Sequence, residues 1–185
     1  MDPDSRLVDE ARAGDRRAYE LLVERHRNTV FRFGARIVGF DDADDVAQDV
    51  FVRAYYRLDQ FAGRGNFRAW ILQITRTVAL NALTRRKPED AEEQELTAQE
   101  PARGPARTLE SKERRERLES KVRLLAPNHR AVLVLRDIEG LSYDEIAEVA
   151  EMPVGSVKGR LHRARAELID LLRRNTYDWE LPAGE

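Results

Sequence analysis

One stretch in the middle of the chain cannot join a core, and it decides what the rest can become. Between Pro88 and Thr108 stand three prolines (Pro88, Pro101, Pro105), six acids ahead of Pro101, and Leu96 as the single sizeable apolar side chain. Such a segment buries too little apolar surface to offset the entropy of ordering it. The composition therefore predicts a flexible acidic linker over 88–108. It leaves two units to fold, residues 1–87 and 109–174, with a tail at 175–185. Each is small, so each must build its core economically.

Both units read as helical, and the chain as all-α. Ten glycines and seven prolines are few for a turn-rich β fold, and apolar residues recur at helical rather than alternating spacing. A first helix is expected over Ser5–Ala13, stopped by Gly14. A second follows Asp15 and runs to about Gly39, with Tyr19, Leu22, Val23, Val30, Phe31 and Ile37 inward. A third follows the acidic Asp41–Asp45 cluster and groups Val46, Val50, Phe51, Ala54 and Leu58. A fourth, Asn66–Arg85, buries Phe67, Trp70, Ile71, Ile74, Val78 and Leu83. In the second unit helices are expected from about Leu109 to Leu125 and from Asn128 to Arg136, ahead of Gly140.

Composition excludes several classes. No cysteine is present, which removes disulfides, zinc–thiolate sites and thiol nucleophiles. No apolar run approaches the ~18 residues of a membrane span, and the charged N-terminus is unlike a signal peptide. His26, His129 and His162 are isolated and read as surface residues; no paired-His spacing, phosphate loop or nucleophile motif occurs. The expectation is a cytoplasmic protein with no membrane insertion, no metal, no cofactor and no catalysis.

Charged residues make up 36% of the chain, yet the formal net charge is only −2. The signs are segregated. From Gly63 to Lys87 lie Arg64, Arg68, Arg76, Arg85, Arg86 and Lys87 without one acid, whereas Asp41–Asp49 holds five acids without a base. A second basic run, Lys158 to Arg174, is offset only by Glu167 and Asp170. Two cationic segments fit a polyanionic partner that the whole-chain pI of about 6.0 conceals.

The strongest local pattern is Leu141–Arg174. Ser142-Tyr143-Asp144-Glu145 has the form of a capping box, opening a short helix with Ile146, Ala147, Val149 and Ala150 on one side. Glu151-Met152-Pro153 ends it, with Pro153 expected at the first position of the next helix. That helix spaces Val154, Val157, Leu161, Ala164, Leu168 and Leu171 along one side. The other side carries Ser156, Lys158, Gly159, Arg160, His162, Arg163 and Ala166. Short helix, tight turn and longer basic helix form a helix-turn-helix, whose long cations reach phosphates while shorter groups approach base edges.

These residues, together with Asp45-Val46-Ala47-Gln48-Asp49-Val50-Phe51 and Arg53-Ala54-Tyr55, resemble regions four and two of bacterial sigma factors of the extracytoplasmic-function group. The resemblance spans nearly all of Ser5–Arg174. It implies two helical domains that join core RNA polymerase to promoter DNA, under the control of an anti-sigma factor. Core polymerase would meet Asp45, Gln48, Asp49, Phe51 and Arg53. Single-stranded minus-ten DNA would meet Phe61, Arg64, Asn66, Arg76, Thr77, Asn81, Arg85 and Arg86. Thr77 stands where the family often has Asn. Double-stranded minus-thirty-five DNA would meet Ser156, Lys158, Gly159, Arg160, His162, Arg163 and Arg165. Phe67 and Trp70 are expected in the core and Phe61 exposed in a loop. A conventional helix-turn-helix regulator would share the second unit but leave Asp41–Lys87 unexplained. A sigma-like polymerase adaptor would bind the enzyme without initiating.

Overall fold

The computed structural model of the chain describes residues 3–61, 66–85 and 117–174. The acidic segment 88–108, the tail 175–185, Arg64 and Arg86 lie outside them. All regular structure among the described residues is helical, in the order α1 (Ser5–Arg12), α2 (Arg16–Val38), α3 (Ala43–Arg57), α4 (Phe67–Arg85), α5 (117–124), α6 (Pro127–Leu133), α7 (Tyr143–Ala150) and α8 (Val154–Arg173). A 3₁₀ turn, Leu58–Gln60, follows α3, and a π turn, Val134–Ile138, extends α6.

Local chemistry sets the ends. Asp15 caps α2 by accepting from the amides of Arg17 and Ala18. At its other end Gly39 takes φ 98°, a value that suits glycine. Helix α3 begins inside the acidic cluster rather than after it. Asp42 is the cap residue, and Asp44 and Asp45 occupy the first turn, where the helix dipole favours them. Pro153 is likewise one position earlier than expected: it is the N-cap of α8, not its first residue.

In the first unit α2 packs against α1, α3 and α4, and α3 against α4. Leu22, Val30, Phe33, Ile37, Val50, Phe67, Ile71 and Leu72 are essentially fully buried there. A Cβ on Gly34 would stand 3.3 Å from Val46 Cγ1, so the missing side chain sets how closely α3 approaches α2. In the second unit α6 and α7 pack on α8 around Leu135, Ile146, Val157 and Leu161.

The two units also share a seam, where α4 meets α7 and α6, and α2 meets α6. Arg130 of α6 is buried and donates from Nη1 to the Ile37 carbonyl at 2.6 Å, in the last turn of α2. Its Nη2 donates to the Arg123 and Leu125 carbonyls, while the buried Nε has no hydrogen-bond partner. Burial, with the charge of Arg123 second, lowers this guanidinium to about 10. Arg68 of α4 donates to the Glu139 carboxylate at 2.7 Å and to its carbonyl at 3.1 Å. Gln73 bonds Glu151 at 2.9 Å, and Arg76 bonds Asn128 at 3.1 Å.

Candidate nucleic-acid interface

The second unit presents α8 as a two-sided helix. Val157, Leu161, Ala164 and Leu172 are buried, while Ser156, Lys158, His162 and Arg163 are exposed on the opposite side. Arg160 and Gly159 are half-buried. A Cβ added to Gly159 would meet only Arg163 Nη1, at 3.7 Å. The α8 backbone is thus open to a close approach at this point.

Helix α7, which sets the angle of α8, carries the expected capping box in full. The Ser142 hydroxyl accepts from the Glu145 amide at 3.2 Å, and the Glu145 carboxylate accepts from the Ser142 amide at 2.7 Å. Glu151 ends α7 in the left-handed region, φ 53°. Beside the cap, Tyr143 lies between two cations, Arg136 at 4.7 Å and Lys158 at 5.7 Å from its ring centre. Cation–π attraction holds Lys158 at the entry of the helix.

Arg165 differs from its neighbours. Its guanidinium forks onto Asp137 of the π turn, at 2.6 and 3.3 Å, and that hydrogen bond raises its pKa. It therefore braces α8 against the π turn. His129 also departs from the surface reading: its Nδ1–H donates to Glu167 at 2.6 Å, and Glu167 accepts from the Ala126 amide at 3.0 Å. The same carboxylate ties α8 to the start of α6. His162 is exposed as expected.

On α4, Thr77, Asn81 and Arg85 form an exposed strip. Thr77 donates to the Gln73 carbonyl at 3.0 Å. Asn66 is exposed and caps α4, its side-chain oxygen accepting from the Arg68 amide at 2.8 Å. Arg76 is half-buried in the seam; burial first, and the charge of Arg160 second, lower its pKa. One cation from each basic run thus faces the other. Phe61 corrects the loop expectation: it is 5% exposed, with ring centres 5.8 Å from Phe67 and 5.3 Å from Trp70. Two aromatic partners bury a side chain that an isolated loop would expose. Phe67 is buried as expected, and Trp70 is half-buried.

The outer side of α3 carries Asp45 and Gln48, both exposed, and the Asp49–Arg53 pair at 2.7 Å. Phe51 is half-buried, and its carbonyl accepts from the Tyr19 hydroxyl at 2.5 Å. Val52, Tyr55 and Tyr56, none of them among the residues expected at the polymerase although Tyr55 belongs to the motif, are exposed by 50%, 47% and 79%. Their spacing from Gln48 (four, seven and eight residues) marks a second stripe, opposite Val46, Val50 and Ala54. That signal was present in the sequence. Exposed aromatics beside acids form a surface suited to a protein partner.

Among the described residues no group of His, Asp and Glu is arranged to hold a metal. No helix there is long and apolar enough to cross a membrane.

Comparison with known proteins covers both units. Residues 22–89 match the Sigma-70 region 2 family, and residues 115–168 match Sigma-70 region 4. The chain is 35% identical over 177 residues to the ECF RNA polymerase sigma-E factor of Haemophilus influenzae, covering 90% of this chain and 93% of that one. The protein of the same description from Escherichia coli K12 is 34% identical over 177 residues, with 90% and 92% covered. A solved structure of CnrH in complex with the cytosolic domain of CnrY superimposes with a TM-score of 0.70 at 32% identity, covering 95% of this chain and all of that one. The sigma factor RpoE of Bartonella quintana, solved with the anti-sigma factor NepR, shares the fold: TM-score 0.63 at 22% identity, over 84% of this chain and 96% of that one.

Proposed function

Because the chain belongs to the extracytoplasmic-function sigma factors of RNA polymerase, we propose that it joins core polymerase through the outer side of α3 and takes it to promoters read by α4 and α8. Residues 1–87 then act as domain two and 109–174 as domain four, joined by 88–108. It is an initiation factor that performs no catalysis itself. One observation carries the reading: the chain matches both sigma regions, and in the second of them α8 turns Ser156, Lys158, His162 and Arg163 outward from a buried stripe.

The division of labour follows from chemistry. Lys158, Arg160 and Arg163 meet duplex phosphates of the minus-thirty-five element, with Ser156, Gly159 and His162 nearer the base edges. Arg165 supports this face through Asp137. Thr77, Asn81, Arg85 and Asn66, with Arg64 and Arg86, meet the unpaired minus-ten strand, whereas Arg76, expected there too, is engaged by Asn128 in the seam and supports α4 from behind. Phe61 takes part by supporting Phe67 and Trp70 from within. Asp45, Gln48, Asp49, Phe51 and Arg53, joined by Val52, Tyr55 and Tyr56, form the polymerase surface.

CnrH and RpoE were each solved with a partner, NepR being an anti-sigma factor. An anti-sigma factor is accordingly the expected regulator here. The protein works in the cytoplasm, and is held at the membrane where that regulator is anchored.

The test is transcription from a promoter library by core polymerase with and without the full-length chain. Transcripts that require both the chain and a common upstream sequence are expected. No such transcript, together with a palindromic footprint by the chain alone, would overturn the reading in favour of a conventional regulator.

A further inference from the structure

A buried ionic group lies outside every surface assigned above. Asp4 and His26 are 2% and 5% exposed, two of the few polar side chains buried among the described residues. The Asp4 carboxylate accepts from His26 Nε2–H at 2.6 Å and also pairs with the Arg25 guanidinium. Arg25 additionally donates to the Pro3 carbonyl at 3.2 Å. Burying a carboxylate and an imidazole is unfavourable unless each is paired, and here each is.

The position of the pair gives it a consequence. The His26 ring centre is 5.2 Å from that of Phe67, the first residue of α4. Phe67 is fully buried and touches both Phe61 at 5.8 Å and Trp70 at 5.5 Å. Phe61 closes the 3₁₀ turn after α3, so these rings tie the end of α3 to the start of α4. Trp70, Thr77 and Asn81, spaced by seven and four residues, share one side of α4. Any rotation of α4 about its axis moves Trp70 and the proposed minus-ten strip together. His26 is a side chain from α2 that packs on the first ring of this cluster.

We propose that Asp4 and His26 are positioning residues for minus-ten engagement. Asp4 orients the imidazole, the imidazole seats Phe67, and the aromatic cluster sets the rotation of the Thr77–Asn81 strip. The inference rests on the minus-ten role proposed for α4. It extends the promoter-opening apparatus to Asp4, in the N-terminal segment ahead of α1.

The experiment uses the full-length chain with core polymerase on a promoter found with the wild-type holoenzyme. A 2-aminopurine in the non-template minus-ten strand reports opening. Substitution Trp179→Phe leaves Trp70 as the chain's sole tryptophan, whose emission is read on the free full-length chain. His26→Ala is expected to slow opening about tenfold, since small misplacement of binding groups is amplified in rate. It should also shift Trp70 emission to longer wavelength, while holoenzyme affinity stays within about twofold of wild type. His26→Gln retains a donor near the Nε2 position and should recover part of both signals. Should His26→Ala fail to fold, Asp4→Asn keeps the shape and an acceptor for the His26 N–H; it should slow opening while the folded chain keeps its affinity for core polymerase. Opening at the wild-type rate in the folded variants, or an equal loss of opening and polymerase affinity, overturns the proposal. Failure of the sigma reading itself looks different, because the wild-type holoenzyme then opens no promoter.

Discussion

The two basic runs are alike in sequence, yet the fold turns the middle of the first inward and the start of the second outward. In the first, Arg68 and Arg76 turn into the seam and meet Glu139 and Asn128. In the second, Lys158 and Arg163 face outward, Lys158 steadied by the Tyr143 ring. Arg130, which belongs to neither run, is the most committed cation, buried against three carbonyls. A cation that holds carbonyls or carboxylates of its own chain has exchanged its hydration for fixed partners. One left in water keeps its charge available to an outside phosphate. Charge density along the chain therefore locates basic segments, but only packing decides which cations remain open to DNA.

The largest expected effect separates Arg130 from the outward set. Arg130→Ala leaves the Ile37, Arg123 and Leu125 carbonyls without their donor, and should cost about 3 kcal/mol of folding stability in urea titration. Arg163→Ala should change stability by no more than about 0.5 kcal/mol. Equal costs would erase the distinction. In DNA binding the order reverses. Arg163→Ala should weaken duplex binding about tenfold and lower the slope of log affinity against log salt by about 0.9. Arg165→Ala, whose guanidinium is engaged by Asp137, should change the slope by less. A slope change from Arg165 as large as that from Arg163 would place both on DNA.

Much of the fold could be read from the sequence because its causes are local. The capping box at Ser142–Glu145 and the Val157–Leu161–Ala164 stripe depend on residues three or four apart, where helix geometry itself supplies the partner. The features that were misjudged have distant causes. His26 finds Asp4 at a separation of 22 residues, and His129 finds Glu167 at 38. Phe61 is buried by rings that arrive only when α4 docks. Arg163 and Arg165 lie about 200° apart around α8, so helical position separates them, but the partner that engages Arg165 is an Asp137 delivered by a π turn 28 residues earlier. The α3 stripe of Val52, Tyr55 and Tyr56 is another case. Its spacing was visible, but a helix in isolation does not show which of two apolar stripes faces the core.

The seam offers a smaller test of the same comparison. The Glu139 side chain is 5% exposed and Arg68 is 35% exposed, so this ion pair is only partly screened. Glu139→Gln should cost about 1 kcal/mol and increase the radius of gyration measured by X-ray scattering at low salt. If the radius stays constant while stability falls, Arg68 contributes to local packing and does not hold the two units together.

The smallest effect concerns how the outward face is kept in place, and it depends on pH. Glu167 is held below the ordinary carboxylate range first by the His129 N–H, with the Ala126 amide assisting and burial opposing. A depressed carboxyl pKa means that the folded state binds this proton less readily than the unfolded chain. The stabilisation is therefore fully present above the ordinary value of 4.5 and disappears as pH falls through the lower folded value. Glu167→Gln should reduce stability by about 0.5 kcal/mol near neutral pH, as expected for a half-exposed pair. That difference should shrink once the wild-type carboxyl is protonated in both states. Urea titrations of both proteins between pH 7 and pH 3 check it. A difference that persists to pH 3 would mean that Glu167 holds α6 to α8 by shape rather than by charge. The cations of α8 would then be oriented by packing alone.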